Sequence, residues 1–323
     1  MKPTVFVPEP IHAAGMQLLQ NHCTCIAPWQ KNANAIEPSQ ALAQTQAILV
    51  RLFTVDSAAM DQAPHLKVIA KHGVGLDNID LPEAARRGLP VLYTPQANSN
   101  AVAEHALGLI LGLARFLVPS GQAVPDAEKF LGRNGFAGAE LVGSTLGIIG
   151  LGRIGRRLAH KTGTGLEMDV LAYDPYVSQA DYEGPARLLD RLEDVLAQAD
   201  FISLHTPLTA QTRHLIDADA LGHCKSTAYL INTARGGIVD PQALAQALDN
   251  GRLAGAGIDV FAEEPPPADY PLFNRPNVLL TPHIAGVTHK ALEKVATDAA
   301  QGIIDVLQGQ TPEFPVPEDQ YRQ

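Results

Sequence analysis

The sequence predicts an α/β protein built from two doubly wound parallel sheets. Three observations carry that expectation. Short β-branched runs alternate with alanine- and leucine-rich stretches of helical period, the pattern of strand–helix–strand units. Such runs are numerous enough for two sheets. A length of 323 residues also suits about two domains, at roughly 150 residues each.

Taken in order, strands are expected at residues 5–7, 47–50, 68–71, 145–149, 169–173, 201–204, 229–232, 255–260 and 278–281, with helical patterns between them, such as residues 241–250. The change of unit falls near Asn98-Ser99-Asn100. A long helix is expected to follow at residues 101–117, with Asn100 capping its N-terminus and Glu104 in its positively polarised first turn. Glu104, Gly108 and Gly112 fall on one stripe of that helix. Glycines there let another backbone approach, either within the chain or from a second subunit. Pro265-Pro266-Pro267 reads as a local turn, and the stretch from Pro312 to Pro317 as a mobile terminus.

Composition narrows the function classes. The hydrophobic fraction is 46% and the charged fraction 18%, a globular balance that argues against a disordered or fibrous chain. Lys and Arg number 24 against 34 Asp and Glu, a net charge of -10. Such a chain is a poor general binder of nucleic acid or anionic membrane, and a small anionic ligand would need a local cationic pocket. The three cysteines, Cys23, Cys25 and Cys224, make no disulfide framework and suit a reducing compartment. Cys23 and Cys25 could share a strand face, but no second Cys or His pair follows at zinc spacing, so no metal is expected. The N-terminus lacks the apolar run of a signal peptide. The apolar run at residues 106–114 is interrupted by Gly108 and Gly112 and is too short to span a bilayer. A cytoplasmic protein is expected.

The most informative local motif is Gly150-Leu151-Gly152-Arg153-Ile154-Gly155. It follows the apolar run Leu146-Gly147-Ile148-Ile149 and opens a helical stretch, the context that phosphate binding requires. Gly150 allows a tight turn, Gly152 lets backbone approach a pyrophosphate, and Gly155 permits close helix–strand packing. Exposed N–H groups and the helix dipole then hold the phosphate charge. Asp174 lies 19 residues past Gly155, where a carboxylate would meet the adenosine ribose hydroxyls. Pro175 and Tyr176 follow, with no Arg or Lys to receive a 2′-phosphate, so NAD is expected rather than NADP. Arg153 is expected near the pyrophosphate, with Arg156 and Arg157 on a solvated face. This unit is therefore expected to be Rossmann-like.

Three further segments each end a candidate strand: Asn232-Thr233-Ala234-Arg235-Gly236-Gly237, then Asp259-Val260-Phe261-Ala262-Glu263-Glu264-Pro265, then Thr281-Pro282-His283-Ile284-Ala285-Gly286. Ligands of open α/β sheets bind at the carboxyl ends of strands, so an Arg, a Glu and a His are expected to converge there.

On these motifs, together with Lys71-His72-Gly73-Val74-Gly75-Leu76-Asp77-Asn78-Ile79-Asp80 and residues 98–113, the chain resembles the D-isomer-specific 2-hydroxyacid dehydrogenases over nearly its whole length. Within them it looks like a short-form D-3-phosphoglycerate dehydrogenase. The resemblance implies two Rossmann-like or flavodoxin-like domains: a discontinuous substrate domain at 1–98 and 287–323, and an NAD-binding domain at 99–286. Two crossings between them imply closure around substrate. It also implies His283 as general acid/base, Glu264 as its partner and Arg235 as substrate anchor. The physics suits each role. Ketone reduction needs a proton delivered to oxygen, histidine supplies one near neutral pH, and a neighbouring carboxylate favours imidazolium. Arg grips an α-carboxylate as a planar fork. Glu263 is the weaker choice beside Glu264.

By the same resemblance, Asp259 and the Ala234 backbone hold the nicotinamide carboxamide. Thr233, Gly286 and the loop His205-Thr206-Pro207 lie beside the cofactor, with His205 structural. His105 reads as a packing or subunit residue. Gly73, Val74 and Gly75 resemble a loop that binds the substrate carboxylate through backbone N–H groups. Arg51, Lys71 or His72, and Arg133 fall near basic positions of phosphoglycerate dehydrogenases, which suggests a substrate phosphate. Lys71-His72 and the apolar Leu52-Phe53 depart from that pattern and keep hydroxypyruvate, glyoxylate and other 2-keto acids open. A homodimer is implied through the NAD domain. An NAD-sensing, corepressor-like binding protein is the alternative of a different class, since the fold also occurs there.

Overall fold

The computed structural model describes residues 2–31 and 36–322. The chain divides into two compact units, one made of Met1–Asn98 and Val287–Gln323 and the other of Ser99–Gly286.

The first unit runs β1 (Thr4–Phe6), α1 (Ala13–His22), β2 (Thr24–Ile26), α2 (Pro38–Leu42), β3 (Ala47–Val50), α3 (Ser57–Asp61), β4 (Val68–Lys71), α4 (Leu81–Arg86) and β5 (Val91–Leu92). Its five strands are parallel in the order β2-β1-β3-β4-β5. Successive side chains of a strand point to opposite faces. Here both faces are covered, so both sets are apolar. Val5, Ala47, Leu49, Val68 and Ala70 join one core, and Phe6, Ile48, Val50 and Ile69 the other.

The second unit begins with α5 (Ser99–Ala114), α6 (Leu117–Ala123) and α7 (Ala127–Leu131). It continues through β6 (Thr145–Ile149), α8 (Arg153–Gly165), β7 (Asp169–Tyr173), β8 (Ala186–Leu188), α9 (Leu192–Gln198) and β9 (Phe201–Leu204). It closes with α10 (Ala218–Gly222), β10 (Tyr229–Asn232), α11 (Pro241–Asp249), β11 (Gly255–Ile258) and β12 (Val278–Leu280). The seven parallel strands have the order β12-β11-β10-β9-β6-β7-β8. Chain direction across the sheet reverses beside β6, and a crevice opens at the carboxyl ends of strands flanking such a reversal. α5 and α8 cover one face with Leu109, Ile110, Leu113 and Leu158, while α9, α10 and α11 cover the other with Val195, Leu196, Leu221 and Leu244.

The chain then returns to the first unit as α12 (His289–Leu307). Its Ala299, Ala300, Ile303 and Ile304 pack with Met16 and Leu19 of α1 over the sheet. The helices meet so closely that a Cβ on Gly15 would lie 2.5 Å from the Ala296 carbonyl oxygen.

Several expectations are corrected. The long helix starts at Ser99, so Asn100 lies inside it and bonds Glu104 instead of capping. It stops at Ala114, because Phe116 adopts a left-handed backbone (φ 51°) before α6. Of its stripe glycines, Gly112 packs against Leu279 within the chain, while a Cβ on Gly108 would meet open space. Residues 312–317 do not form a loose terminus. Pro315 bridges Leu92, the Val316 N–H donates to the Val91 carbonyl (2.8 Å), and the Tyr321 hydroxyl accepts from the Val91 N–H (2.8 Å). The exposed edge of β5 supplies unpaired backbone groups, and the tail satisfies them. Strands β2, β5 and β8 were not expected as such.

Among the described residues, no single helix is long and apolar enough to cross a membrane. The pair α5 and α6, bent by 53°, reaches the length and composition together, but the apolar residues of α5 are spent in the core.

Gly15→Ala is expected to destabilise the protein by about 1–3 kcal/mol, because backbone lies where the new methyl must go. Urea denaturation followed by circular dichroism checks this, and an unchanged midpoint would contradict the packing described.

Candidate active site

The site grows out of the strand-order reversal between β6 and β9. After β6 the chain must turn sharply into α8. Gly150 has φ 95°, and a Cβ there would sit 2.8 Å from the His205 backbone. Gly155 packs its Cα face against the Gly150 carbonyl, where a Cβ would approach to 2.3 Å. Gly152, at the N-cap of α8, has only open space beside it. The three glycines thus differ in kind: two are crowded by protein and one is bare. Arg153 is exposed, and Ile154 is half-buried against the core.

Asp174 follows β7. One carboxylate oxygen accepts from the Leu151 N–H (2.8 Å) and the other from the Tyr176 N–H (2.9 Å), so the acid is tied to the glycine loop. Arg156 is not a solvated residue as expected. It donates to the Leu151 carbonyl (2.9 Å) and lies over the Tyr182 ring, 5.1 Å from its centroid. Arg157 is exposed.

Across the crevice, His205 and Thr206 follow β9 and Thr233 follows β10. His205 Nε2 pairs with the Ser203 hydroxyl (3.0 Å). Its Nδ1, Thr206 Oγ1 and Thr233 Oγ1 are buried without hydrogen-bond partners among the described residues. Removal from water pushes His205 down to about 4, so its ring is neutral near pH 7. Buried polar atoms seldom go unmatched. Three of them at the carboxyl ends of β9 and β10, with the His205-Thr206 segment packed against Gly150, suit a bound ligand rich in polar groups, and the residues present fit a dinucleotide. Pro207 is exposed on the same loop.

The reactive side chains arrive on the loops after β10, β11 and β12. Buried Asn232 splints the first loop: its Oδ1 accepts from the Ala234 N–H (3.0 Å) and its Nδ2 donates to the Arg235 carbonyl (2.9 Å). The half-buried Arg235 donates from Nη1 to the Ala234 carbonyl (2.7 Å). Gly236 lies against the Phe261-Ala262 backbone, where a Cβ would come within 2.0 Å, so this loop rests on the segment leading to Glu264. Glu264 Oε1 accepts from the Phe261 N–H (3.1 Å). The two Glu264 oxygens lie 3.0 and 2.8 Å from His283 Nδ1. With Nδ1 engaged by the carboxylate, Nε2 is the nitrogen on the other side of the ring. Glu263 is exposed.

His283 has a left-handed backbone (φ 53°). Its N–H donates to the Asp259 carbonyl (2.8 Å). The fully buried Asp259 carboxylate accepts from the Thr281 hydroxyl (2.6 Å), the Ile284 N–H (2.8 Å) and the Ala285 N–H (2.9 Å). Gly286 ends the segment. Asn232, Gly236 and Thr281 were missed as site-builders. Their signal was present, since each sits within a loop already singled out.

Arg51, Lys71, Gly73, Val74 and Gly75 belong to the first unit. Arg51 follows β3, and the backbone N–H groups of Arg51 and Leu52 donate to Glu9 (2.9 and 2.7 Å), with that of Phe53 doing the same. Lys71 corrects an expectation. Its side chain is buried, and its ammonium donates to the Arg51 carbonyl (2.6 Å) and to Asn78 Oδ1, so the charge is committed to the protein. His72 is also buried, and removal from water, with Arg51 next in effect, pushes it down to about 4. Gly73 has φ 141°, and its carbonyl accepts from Thr94 N–H (2.9 Å). Val74 is exposed and Gly75 half-buried. Arg133 is exposed in the second unit. Cys23, Cys25 and Cys224 are free thiols, and burial pushes Cys25 and Cys224 up to about 11.

Residues 107–285 match the family model for the NAD-binding domain of D-isomer-specific 2-hydroxyacid dehydrogenases. The chain belongs to this family. A glyoxylate reductase of Thermofilum pendens is 39% identical over 96% of this dehydrogenase and 93% of its own length. A D-3-phosphoglycerate dehydrogenase of Mycobacterium tuberculosis is 42% identical over 84% of this chain, which spans 51% of that longer protein. The structure of D-lactate dehydrogenase from Aquifex aeolicus, complexed with NAD and lactic acid, superposes with a TM-score of 0.85 at 30% identity. That match covers 97% of this chain and 98% of the other. This dehydrogenase is thus an NAD-dependent enzyme acting on D-2-hydroxy acids and 2-keto acids.

A 2′-phosphate would bring further negative charge to the Asp174 carboxylate. The expected outcome in steady-state kinetics is a higher kcat/KM with NADH than with NADPH. A preference for NADPH would overturn the reading of Asp174.

Proposed function

We propose that this dehydrogenase reduces short, non-phosphorylated 2-keto acids such as glyoxylate and hydroxypyruvate to the corresponding 2-hydroxy acids. The observation that carries the substrate reading is the buried Lys71 ammonium, spent on the Arg51 carbonyl and Asn78. With His72 neutral as well, neither candidate for one of the three basic positions offers a phosphate its charge. A single carboxylate asks for less charge than a carboxylate and a phosphate together. A second reading, phosphohydroxypyruvate, is favoured by Arg51 and by the 42% identity to a phosphoglycerate dehydrogenase.

The cofactor is held by Gly150, Gly152, Arg153, Ile154 and Gly155 at the pyrophosphate and by Asp174 at the ribose. His205, Thr206, Pro207, Thr233, Ala234, Asp259 and Gly286 lie along the rest of it. NADH, when bound, supplies the hydride. Arg235 grips the substrate carboxylate. His283 donates its Nε2 proton to the ketone oxygen as charge develops there. Glu264, 2.8 Å from Nδ1, orients the ring and stabilises its positive charge. In the oxidative direction the same nitrogen takes the proton back.

We read the enzyme as a cytoplasmic homodimer. Free thiols support a reducing compartment. Exposed Leu117, Val118, Val124, Phe130, Leu131 and Val142, clustered within residues 117–142, support a subunit contact.

Two measurements test these statements. His283→Ala is expected to lower kcat by about 10²–10⁴-fold while NADH still binds, and near-normal turnover would refute the acid/base role. A panel of glyoxylate, hydroxypyruvate, pyruvate and phosphohydroxypyruvate is expected to show the phosphorylated acid without advantage, and Arg51→Ala to affect all four alike. Selective loss with phosphohydroxypyruvate would instead establish the second reading.

A further inference from the structure

Beyond the pair Glu264 and His283, one side chain from a distant helix reaches the same turn. His105 of α5 places Nε2 3.0 Å from Thr281 Oγ1 and 3.6 Å from Asp259 Oδ1. The Asp259 carboxylate is fully buried and only accepts hydrogen bonds. Thr281 Oγ1, 2.6 Å from Asp259 Oδ1, therefore spends its single proton on the carboxylate. The Thr281 oxygen is then left as an acceptor, and His105 Nε2 must carry the hydrogen that completes the contact.

We infer that His105 is a positioning residue for the reaction: its Nε2–H fixes the Thr281 hydroxyl, which holds the Asp259 carboxylate that clamps the turn carrying His283. The logic is a directed chain of donors. His105 donates to Thr281, Thr281 to Asp259 Oδ1, and the Ile284 and Ala285 N–H groups to the two oxygens of the same carboxylate. The clamp thus grips the chain on both sides of His283. That grip is needed because His283 sits at φ 53°, a conformation a non-glycine residue keeps only when its surroundings impose it. Without a donor at 105, the Thr281 hydroxyl is free to rotate and Asp259 Oδ1 loses its shortest contact. His105 touches neither Glu264 nor His283 in this chain of contacts, so it acts on geometry and not on the proton itself. The inference rests on His283 being the acid/base.

The test compares His105→Phe, His105→Gln, Thr281→Val and Thr281→Ser in the full-length enzyme, using the fastest 2-keto acid of the panel above. Gln keeps an N–H donor near the place of Nε2, and Ser keeps the hydroxyl. His105→Phe and Thr281→Val are each expected to lower kcat roughly ten- to a hundredfold, the scale of a misplaced catalytic group. KM for the keto acid should stay within about threefold, as carboxylate anchoring lies with Arg235, and the fluorescence-measured Kd of NADH within about threefold, as most cofactor contacts lie on the loops after β6, β7 and β9. His105→Gln and Thr281→Ser should recover most of kcat. The double variant His105→Phe/Thr281→Val should be no slower than the worse single one, since both break one chain of contacts. Wild-type kcat in a folded His105→Phe enzyme would overturn the inference, as would a Gln variant as slow as Phe or multiplicative losses in the double variant. If His105→Phe does not fold, the Val and Ser pair at position 281 decides by the same criteria. His283→Ala is run alongside. If it retains turnover, the acid/base reading has failed. If it is inactive while His105→Phe is normal, only the positioning role has.

Discussion

A carboxylate with no access to water must be met by donors, and Asp259 finds its donors within one five-residue turn. That requirement organises the candidate active site. Thr281, Ile284 and Ala285 close on the two oxygens, and the His283 N–H closes on the Asp259 carbonyl. The histidine between them is held in a left-handed backbone, and its ring meets Glu264. Glu264 is in turn braced on the Phe261 N–H, and Phe261-Ala262 is the surface on which Gly236 lies. Three loops from three strands are therefore locked through backbone contacts, and the reactive side chains inherit their places from that lock.

The two sheets solve the problem of strand-order reversal with different chemistry. In the larger sheet the loops beside β6 are kept clear by glycine, with buried hydroxyls and an imidazole nitrogen left unmatched. In the smaller sheet, β1 and β3 flank the reversal, and the protein's own Glu9 fills the backbone donors that follow β3. One crevice is prepared for a ligand rich in oxygen, and the other is occupied by a side chain. Beside it, Lys71 is turned inward to brace the Arg51 loop.

Much of this was legible in the sequence, for physical reasons that can be named. A strand such as Ala47–Val50 is buried on both faces and so reads as an unbroken apolar run. The glycine motif was legible because backbone conformation and close approach both demand glycine at Gly150. Strands β5 and β8 were not, because two or three residues with an Arg among them, as in Ala186–Leu188, have too little pattern to stand out. Loop positions for Arg235, Glu264 and His283 follow from strand ends, whereas the role of a lysine does not follow from its charge. Lys71 could face a ligand or a carbonyl, and only the fold decides which. The stretch containing Pro312 and Pro317 misled for a similar reason. Proline content speaks of local conformation, while the open edge of β5 is a property of a strand far away in sequence.

The return of α12 to the first unit carries a consequence for how the protein is made. During synthesis the whole of Ser99–Gly286 is released before the last helix of the first unit exists. The second unit thus has its full sequence while the first has only part of its own. Until α12 emerges, the face of the small sheet formed by Ala47, Leu49, Val68 and Ala70 lacks its cover of Ala299, Ala300, Ile303 and Ile304. A nascent chain whose apolar sheet is covered on that face by α1 alone is prone to aggregation and calls on chaperones. The order of translation therefore makes the first unit, begun before the second, the later of the two to be finished.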